Sequence, residues 1–416
     1  MVSFVFKRFA GLLFLLIFGG AVHGQDHSLD FYISQGTTNN PVLKDLSNRI
    51  RSNKYDSLIA RASYLPQVNF NGMMMYAPVV NGWGYSDVIT NGQQLIGAVT
   101  VNQQIFNKKT REANYSKLGL ENRSLENSRN LSLNELKKAI TAQYLAAYSA
   151  IAESGFQGNI LSTLKEMEEI LQMWVEKGIY RQTDYLSVKV EIMQLERNIR
   201  DLEVQYRREF SNLNQICGIS DTSFYKLNLP AVNEISGQSQ VNSPLFKRFV
   251  IDSLRIQAEK VLVDRKYKPN VNWFSDGGMV NNEPAYIYQN LGVSFGLSMT
   301  LPVYDGNQRK LNYGKLRVEE ETRKNYLDFF RVQYSTQLKQ LNDELERVKS
   351  LARDNEKQVD LLKQLVEQEK VLLNSGALSI TEYILALKNL IVAGHDGVQY
   401  QIRAQYLLNE INFLKQ

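Results

Sequence analysis

YLPQVNF at residues 64–70 recurs as YKPNVNW at residues 267–273, which lie 203 positions later in the chain. In both copies a proline comes before alternating amide and apolar side chains. Because proline pushes the preceding residue out of the helical region of backbone conformations, each proline marks the change from a helix to an extended strand. The recurrence indicates that the chain contains one structural unit twice.

Other matched segments keep the same order and nearly the same spacing. NPVL at 40–43 matches SPLF at 243–246 at the offset of 203, and only the stretch between residues 70 and 100 changes length. Beyond that stretch the offset is 198, for IFN at 105–107 against VYD at 303–305, for Gly178 against Gly376, and for TDYL at 183–186 against TEYI at 381–384. This register predicts two repeats, at 25–219 and 242–416, joined by a polar linker at 220–241.

Each repeat has the same predicted elements. A helical segment, at about 28–63 and 243–266, is followed by a β-hairpin, at about 66–106 and 269–304. Proline-free stretches at 108–176 and 308–374 then predict long helices, and Leu338, Leu341, Leu345 and Val348 have coiled-coil spacing. A turn around Gly178 or Gly376 leads to a second helix that ends near Cys217 or Gln416. The predicted fold class is mainly α with a small β part.

The first 24 residues have the pattern of a signal peptide. Lys7 and Arg8 precede an apolar run, and the small residues Val22 and Gly24 precede a cleavage point before Gln25. The run is short for a membrane-spanning helix, although an uncleaved anchor is the alternative. We therefore expect the mature chain to be exported. The residue directly after the cleavage point is Gln25 and not a cysteine, so no lipid is expected on the new N-terminus.

The composition argues against several classes of protein. Cys217 is the only cysteine, so no intrachain disulfide is expected. Without Lys7 and Arg8 the chain has 46 basic and 43 acidic residues, which does not favour nucleic acid as a partner. Only two histidines, His27 and His395, follow the signal peptide, and no phosphate-cradling glycine loop is present. No cofactor, metal site or catalytic residue is predicted, and the protein is not expected to be an enzyme.

The hairpins have the length and pattern of membrane strands. Tilted strands of about 9–11 residues cross a bilayer. Four strands are too few for a closed barrel, and lipid does not tolerate open strand edges, so several chains would share one barrel. A hairpin that covers a soluble core is the alternative. Aromatic residues near the strand ends could form interfacial belts: Trp83, Tyr85, Trp273, Tyr286 and Tyr288.

In their order and spacing, several motifs together resemble the TolC family of outer-membrane efflux proteins over residues 29–416. They are NNP at 39–41, the strand entries at Pro66 and Pro269, IFN at 105–107 with PVYD at 302–305, and the glycine turns that run from Gly178 to Leu186 and from Gly376 to Ile384. The resemblance implies a homotrimer with a long α-helical coiled-coil tunnel in the periplasm and a twelve-stranded β-barrel, shared between three chains, in the lipid of the outer membrane. It further implies docking to a periplasmic adaptor (a membrane fusion protein) and an inner-membrane transporter. The chain would then be the passive exit duct of a tripartite efflux pump or a type I secretion system.

The same resemblance implies roles for four residues. Gly178 and Gly376, with their neighbours, would form the turns that dock to the adaptor. Glu382 would line the pore entrance, and Asp184, at the corresponding position after the first turn, is a second candidate for that role. The family's second acidic position is Leu385 here, so a double acidic ring does not follow.

Each role has a simpler alternative. The glycines could only end helices, and the carboxylates could only favour helix starts. Tyr185 and Tyr383 are expected to pack between helices. Two rival classes also stay open: a soluble periplasmic coiled-coil scaffold or adaptor protein, and an exported binding module or enzyme, which would need a polar constellation that the sequence lacks.

Overall fold

The computed structural model describes residues 28–86, 92–105, 108–235, 243–283 and 289–416. Several sequence predictions lie outside these residues, namely the signal peptide at 1–24, Phe106 and Asn107, Tyr286 and Tyr288, and the linker from 236 to 241. The described chain is mainly helical with one small antiparallel sheet, as the sequence predicts.

The elements follow one another in nearly the same order twice. The helices are α1 (Leu29–Asn39), α2 (Pro41–Ala62), α3 (Lys108–Glu176), α4 (Gln182–Cys217), α5 (Pro244–Lys266), α6 (Gln308–Asn374) and α7 (Ile380–Lys415). The strands are β1 (Gln67–Tyr76), β2 (Gln93–Ile105), β3 (Asn270–Asn281) and β4 (Leu291–Thr300). Both long helices, α3 and α6, run through the whole of the proline-free stretches that predicted them.

The first predicted helical segment, at 28–63, is wrong in one respect. It is two helices, because Asn40 leaves the helical region with φ −58° and ψ 121°. Asn40 precedes Pro41, and proline disfavours a helical conformation at the residue before it. Pro41 itself lacks an N–H and is well suited to the first position of α2.

One compact unit contains residues 28–40, 133–235 and 337–415 among those described. Its core is a seam of apolar side chains from α3, α4, α6 and α7, including Leu164, Met167, Val188 and Tyr383. Leu345 and Val348 are buried against α7, with Leu338 and Leu341 packed beside them, which confirms the predicted coiled-coil positions. Tyr383 is buried and Tyr185 packs against the same core, as expected.

The described part of the linker, at 220–235, lies against this helical unit. The Val232 and Ile235 N–H groups donate to the Gln405 and Asn412 side chains at 3.0 and 2.9 Å. Leu227 is buried, and the Tyr144 hydroxyl donates to the Asn228 carbonyl at 2.9 Å. These bonds satisfy backbone groups that an irregular segment would otherwise leave unpaired.

The second compact unit contains the sheet, α2, α5 and the first parts of α3 and α6. Both units therefore draw on both predicted repeats, and the repeat boundaries stay a prediction from sequence. The sheet has the order β1-β2-β3-β4, with every neighbouring pair antiparallel.

Candidate functional site

The register of the sheet divides its residues into two chemically different faces. Val68 pairs with Val101 and Phe70 with Val99 across β1 and β2. Across β3 and β4, Val271 pairs with Met299. Because directly paired residues project to the same side of a sheet, and Val101 pairs with Ser275 across β2 and β3, most apolar positions of the four strands share one face. Some apolar residues lie on the other face, among them Met73, Ile96, Phe274 and Val280. The opposite face carries amides and hydroxyls, including Asn69, Thr100, Asn102, Asn272 and Ser298.

The apolar face is open in the single chain. Phe295 is 88% exposed and Val293 is 82% exposed on β4, and Met74 is 83% exposed on β1. A continuous apolar surface of this kind marks a region that a lipid or another protein covers. Within the described residues, β1 and β4 each pair with a strand on one side only, so the sheet also has two open edges.

The aromatic residues predicted near the strand ends lie in different surroundings. Trp83 is 85% exposed in the β1–β2 connection, where Val80 and Trp83 exchange two backbone hydrogen bonds. Tyr85 is also exposed. Trp273 is half-buried within β3, and its indole N–H donates to Gln103 Oε1 at 3.1 Å. Trp83 and Tyr85 therefore have the exposure that an interfacial belt requires. Trp273 is less exposed, and its indole N–H is already hydrogen-bonded within the sheet.

The two glycine turns have the same geometry. Gly178 and Gly376 adopt φ values of +74° and +75°, which side chains other than glycine rarely adopt. After α3, the Ile179 N–H donates to the Trp174 carbonyl at 2.9 Å, and after α6 the Ala377 N–H donates to the Leu372 carbonyl at 3.0 Å. Each turn is thus a glycine-dependent helix end of the Schellman type. A Cβ atom added at either glycine would meet no described atom within 4 Å, so both glycines are open to the surface in the single chain.

The acidic residues after the turns are bound at helix starts. Glu382 Oε2 accepts bonds from the Ser379 N–H and hydroxyl at 3.2 and 2.9 Å, and the Glu382 N–H donates back to Ser379 Oγ at 3.3 Å. This is a reciprocal capping box. Asp184 accepts from the Arg181 N–H at 3.0 Å. Both carboxylates therefore stabilise a helix start, and Glu382 is exposed besides.

A second carboxylate, Glu369, lies beside Glu382. Burial raises the pKa of Glu369, and the negative charge of Glu382 raises this pKa further. One carboxylate oxygen of Glu369 is buried, and no described group donates a hydrogen bond to it. Burial also raises the pKa of the nearby Tyr383 hydroxyl to about 12, with Glu367, Glu166 and Glu369 adding to the rise. Among these carboxylates, Glu166 is paired with Lys370 at 3.4 Å, so Glu369 is the one whose buried oxygen no described group compensates.

We expect Glu369→Gln to stabilise the protein at neutral pH. The folded-state pKa of Glu369 lies above its ordinary value of 4.5, so folding loses stability as the pH rises through that pKa. The substitution should raise the melting temperature by on the order of 1–3 °C at pH 7. Near pH 4 the carboxyl is largely protonated in both states, and the difference should shrink. A gain that persists unchanged at pH 4 would point to packing instead of charge.

Among the described residues, no helix is both long enough and apolar enough to cross a membrane. In the same part of the chain, no group of three or more His, Cys, Asp or Glu side chains could hold a metal ion. His395, one of the two histidines that follow the signal peptide, contacts Glu153 on α3, with 2.8 Å between His395 Nδ1 and Glu153 Oε1. Their separation of 242 residues gives no local sequence signal for this contact.

No protein-family model and no curated protein sequence matches the chain. Solved structures do match it. CusC, described for its transmembrane channel formation, aligns with a TM-score of 0.75 at 10% identity, over 94% of this chain and 92% of that one. The CmeC outer-membrane channel of Campylobacter jejuni aligns with a TM-score of 0.72 at 11% identity, over 93% of this chain and 85% of that one. The outer-membrane protein VceC of Vibrio cholerae aligns with a TM-score of 0.73 at 13% identity, over 93% of this chain and 96% of that one.

These alignments cover 93–94% of this chain and 85–96% of the solved ones. At such low identity they establish the fold. The chain has the fold of the TolC-like outer-membrane channels, and the fold-level resemblance predicted from its sequence is confirmed.

Proposed function

We propose that this chain is one subunit of a homotrimeric outer-membrane channel, with its sheet in the membrane and its helical hairpins forming a tunnel in the periplasm. The observation that supports this most directly is the mainly apolar face, to which all four strands contribute and which has exposed side chains on β1 and β4 in the isolated chain. Its fold is that of solved outer-membrane channels.

The two open sheet edges support a shared assembly. Lipid cannot satisfy the backbone groups of an unpaired strand, so β1 and β4 need partner strands. If β4 of one copy pairs with β1 of the next, three copies close a sheet of twelve strands. The apolar face then contacts lipid, and the amide and hydroxyl face lines an aqueous lumen, which is the arrangement of membrane strands.

Cysteine labelling tests this topology. Asn81 lies in the β1–β2 connection at a positive φ, and Asn81→Cys should react with an impermeant thiol reagent on whole cells. Gly178→Cys should react only after the outer membrane is permeabilised. The native Cys217 is buried and its pKa is raised to about 12, so the unaltered protein is a silent control. Labelling of position 178, but not position 81, on intact cells would refute the proposed orientation.

The tunnel would be a passive duct for an efflux pump or a type I secretion system. The sequence has no phosphate-cradling glycine loop for a nucleotide, so we propose that an inner-membrane transporter supplies the transport energy. The exposed turns at Gly178 and Gly376 are the proposed docking points for a periplasmic adaptor.

Glu382 and Asp184 are the proposed charges at the pore entrance. In a trimer, three copies of Glu382 would lie near one axis, where like charges attract cations and repel anions. Glu382→Gln tests the charge alone, because glutamine can replace glutamate in a capping box. Cation selectivity in planar bilayers should fall, and block by multivalent cations on the periplasmic side should weaken. Ser379→Ala, which disturbs the cap but keeps the charge, should leave selectivity unchanged.

The rival proposal, a soluble periplasmic scaffold or adaptor, makes a different prediction for the sheet. A scaffold would cover the apolar face with its own chain or with a soluble partner. Fractionation separates the two proposals, because a channel should appear in the outer-membrane fraction as a heat-modifiable trimer. Recovery in the soluble fraction would favour the scaffold.

A further inference from the structure

A cavity lined by basic side chains lies where α5 ends and α3 begins. Its volume is about 600 Å³, and it opens beside the last residues of β2 and the first residue of β3. Five cationic side chains line it: Lys108, Lys109, Arg265, Lys266 and Lys268. We call it the basic pocket. No acidic side chain is among the described residues that line it.

Two acidic side chains of α5, the helix that carries Arg265, are engaged elsewhere, and Glu112 of α3 does not line the pocket. Asp264, the neighbour of Arg265, bonds Arg309 at 2.6 Å, and Glu259 lies 4.0 Å from Lys117. Neither of these ion pairs includes a cation of the basic pocket. The Nε of Arg265 is buried, and no described group accepts its hydrogen bond. Like charges so close together repel one another unless an anion lies between them.

The start of α3 adds to this positive potential. The first turn of a helix has free N–H groups and the positive end of the helix dipole, which favour anions and disfavour lysines. Yet α3 begins with Lys108 and Lys109, and its first turn has no acidic residue. The sequence therefore places cations where a helix start favours an anion.

The matching helix start in the second half of the chain is that of α6, and a carboxylate of the chain itself offsets its positive charge. There Asp305 accepts a hydrogen bond from the Arg309 N–H at 2.8 Å. The offset of 198 pairs Asp305 with Asn107, an uncharged amide. The chain thus supplies its own carboxylate at α6 and none at the corresponding position of α3.

We propose that the basic pocket binds a phosphate group. Lysines bind phosphate as point charges, the arginine supplies a fork of donors, and the helix start supplies backbone N–H groups. The cavity is much larger than one phosphate ion, so it fits a phosphate carried by a larger molecule. A lipid headgroup and a soluble phosphate share this chemistry. The proposal does not depend on the channel function.

Binding to the purified full-length protein tests the proposal. One arm titrates inorganic phosphate into protein in a neutral detergent. The other compares vesicles of phosphatidylcholine alone with vesicles that contain equal parts of phosphatidylglycerol. Lys108→Gln/Lys109→Gln removes two pocket charges and should not harm folding, because lysines are unfavourable at a helix start. Lys44→Gln/Lys54→Gln on α2 is the matched control with the same change in charge and exposed side chains.

We expect the unaltered protein and the α2 control to bind alike, and the pocket variant to bind at least about tenfold more weakly, with a loss of about 1.4 kcal/mol. Binding should also weaken as salt rises. Preference for phosphatidylglycerol vesicles would identify a lipid source, and binding of inorganic phosphate alone would identify a soluble one. Equal binding by both variants, or no binding of either probe by the unaltered protein, would overturn the proposal. Neither arm requires channel activity, so failure here is distinct from failure of the proposed function.

Discussion

Phe295→Arg is expected to prevent assembly of the protein into the outer membrane. Phe295 lies in the middle of β4 on the apolar face, and its side chain is 88% exposed in the single chain. Arginine on the lipid face of a membrane strand costs about 2–4 kcal/mol at the midplane. Three copies in one trimer would together cost roughly 6–12 kcal/mol, enough to remove almost all inserted protein.

Ser298→Arg is the matched control for this substitution. Ser298 lies three residues further along the same strand, is exposed, and projects to the opposite face, where it pairs with Asn272. An arginine there would face the aqueous lumen, so trimers should form in normal amount. Outer-membrane yield and heat-resistant trimer on gels measure both variants. Equal loss in both, or normal assembly of Phe295→Arg, would show that the apolar face does not contact lipid.

The elements of this fold could be predicted from the sequence because their signals are local. Proline-free stretches gave α3 and α6, and alternation gave β4. The strand register could not be predicted, because the pairing of β2 with β3 joins residues more than 160 positions apart. Only that register shows that most apolar positions of the separate strands lie on one face. Aromatic and amide residues in the individual strands were compatible with either a soluble or a membrane hairpin.

The sequence predicted where the two turns lie, but it did not predict which groups the turn residues contact. Gly178 and Gly376 end helices, as their simpler alternative states, and Glu382 is held by Ser379 in a capping box. The segment Ser379-Ile380-Thr381-Glu382 carries the sequence signature of a capping box, a serine followed three residues later by a glutamate. Glu369 could not be found in this way, since its raised pKa depends on burial and on a charge across the α6–α7 turn. Docking and gating stay predictions for these residues.

The positive φ of the turn glycines decides how adaptor docking should be tested. A bulky residue at Gly178 strains the backbone by on the order of 1–2 kcal/mol, so lost export would not separate docking from folding. The neighbouring Ile179 avoids this difficulty. Its side chain is 58% exposed, and the turn uses only its backbone N–H.

Ile179→Glu is therefore expected to abolish export while trimers still form. If the turn contacts an adaptor, the substitution replaces an apolar contact with an unpaired charge, which costs roughly 2 kcal/mol or more in an interface. Binding should then weaken at least about 30-fold. Gln172→Glu adds the same charge at an exposed position before the turn and should export normally. Export and crosslinked adaptor complexes would be measured in the native host, beside trimer yield. Normal export by Ile179→Glu would show that this turn does not dock, and a parallel fall in trimer yield would show that Ile179 acts in folding.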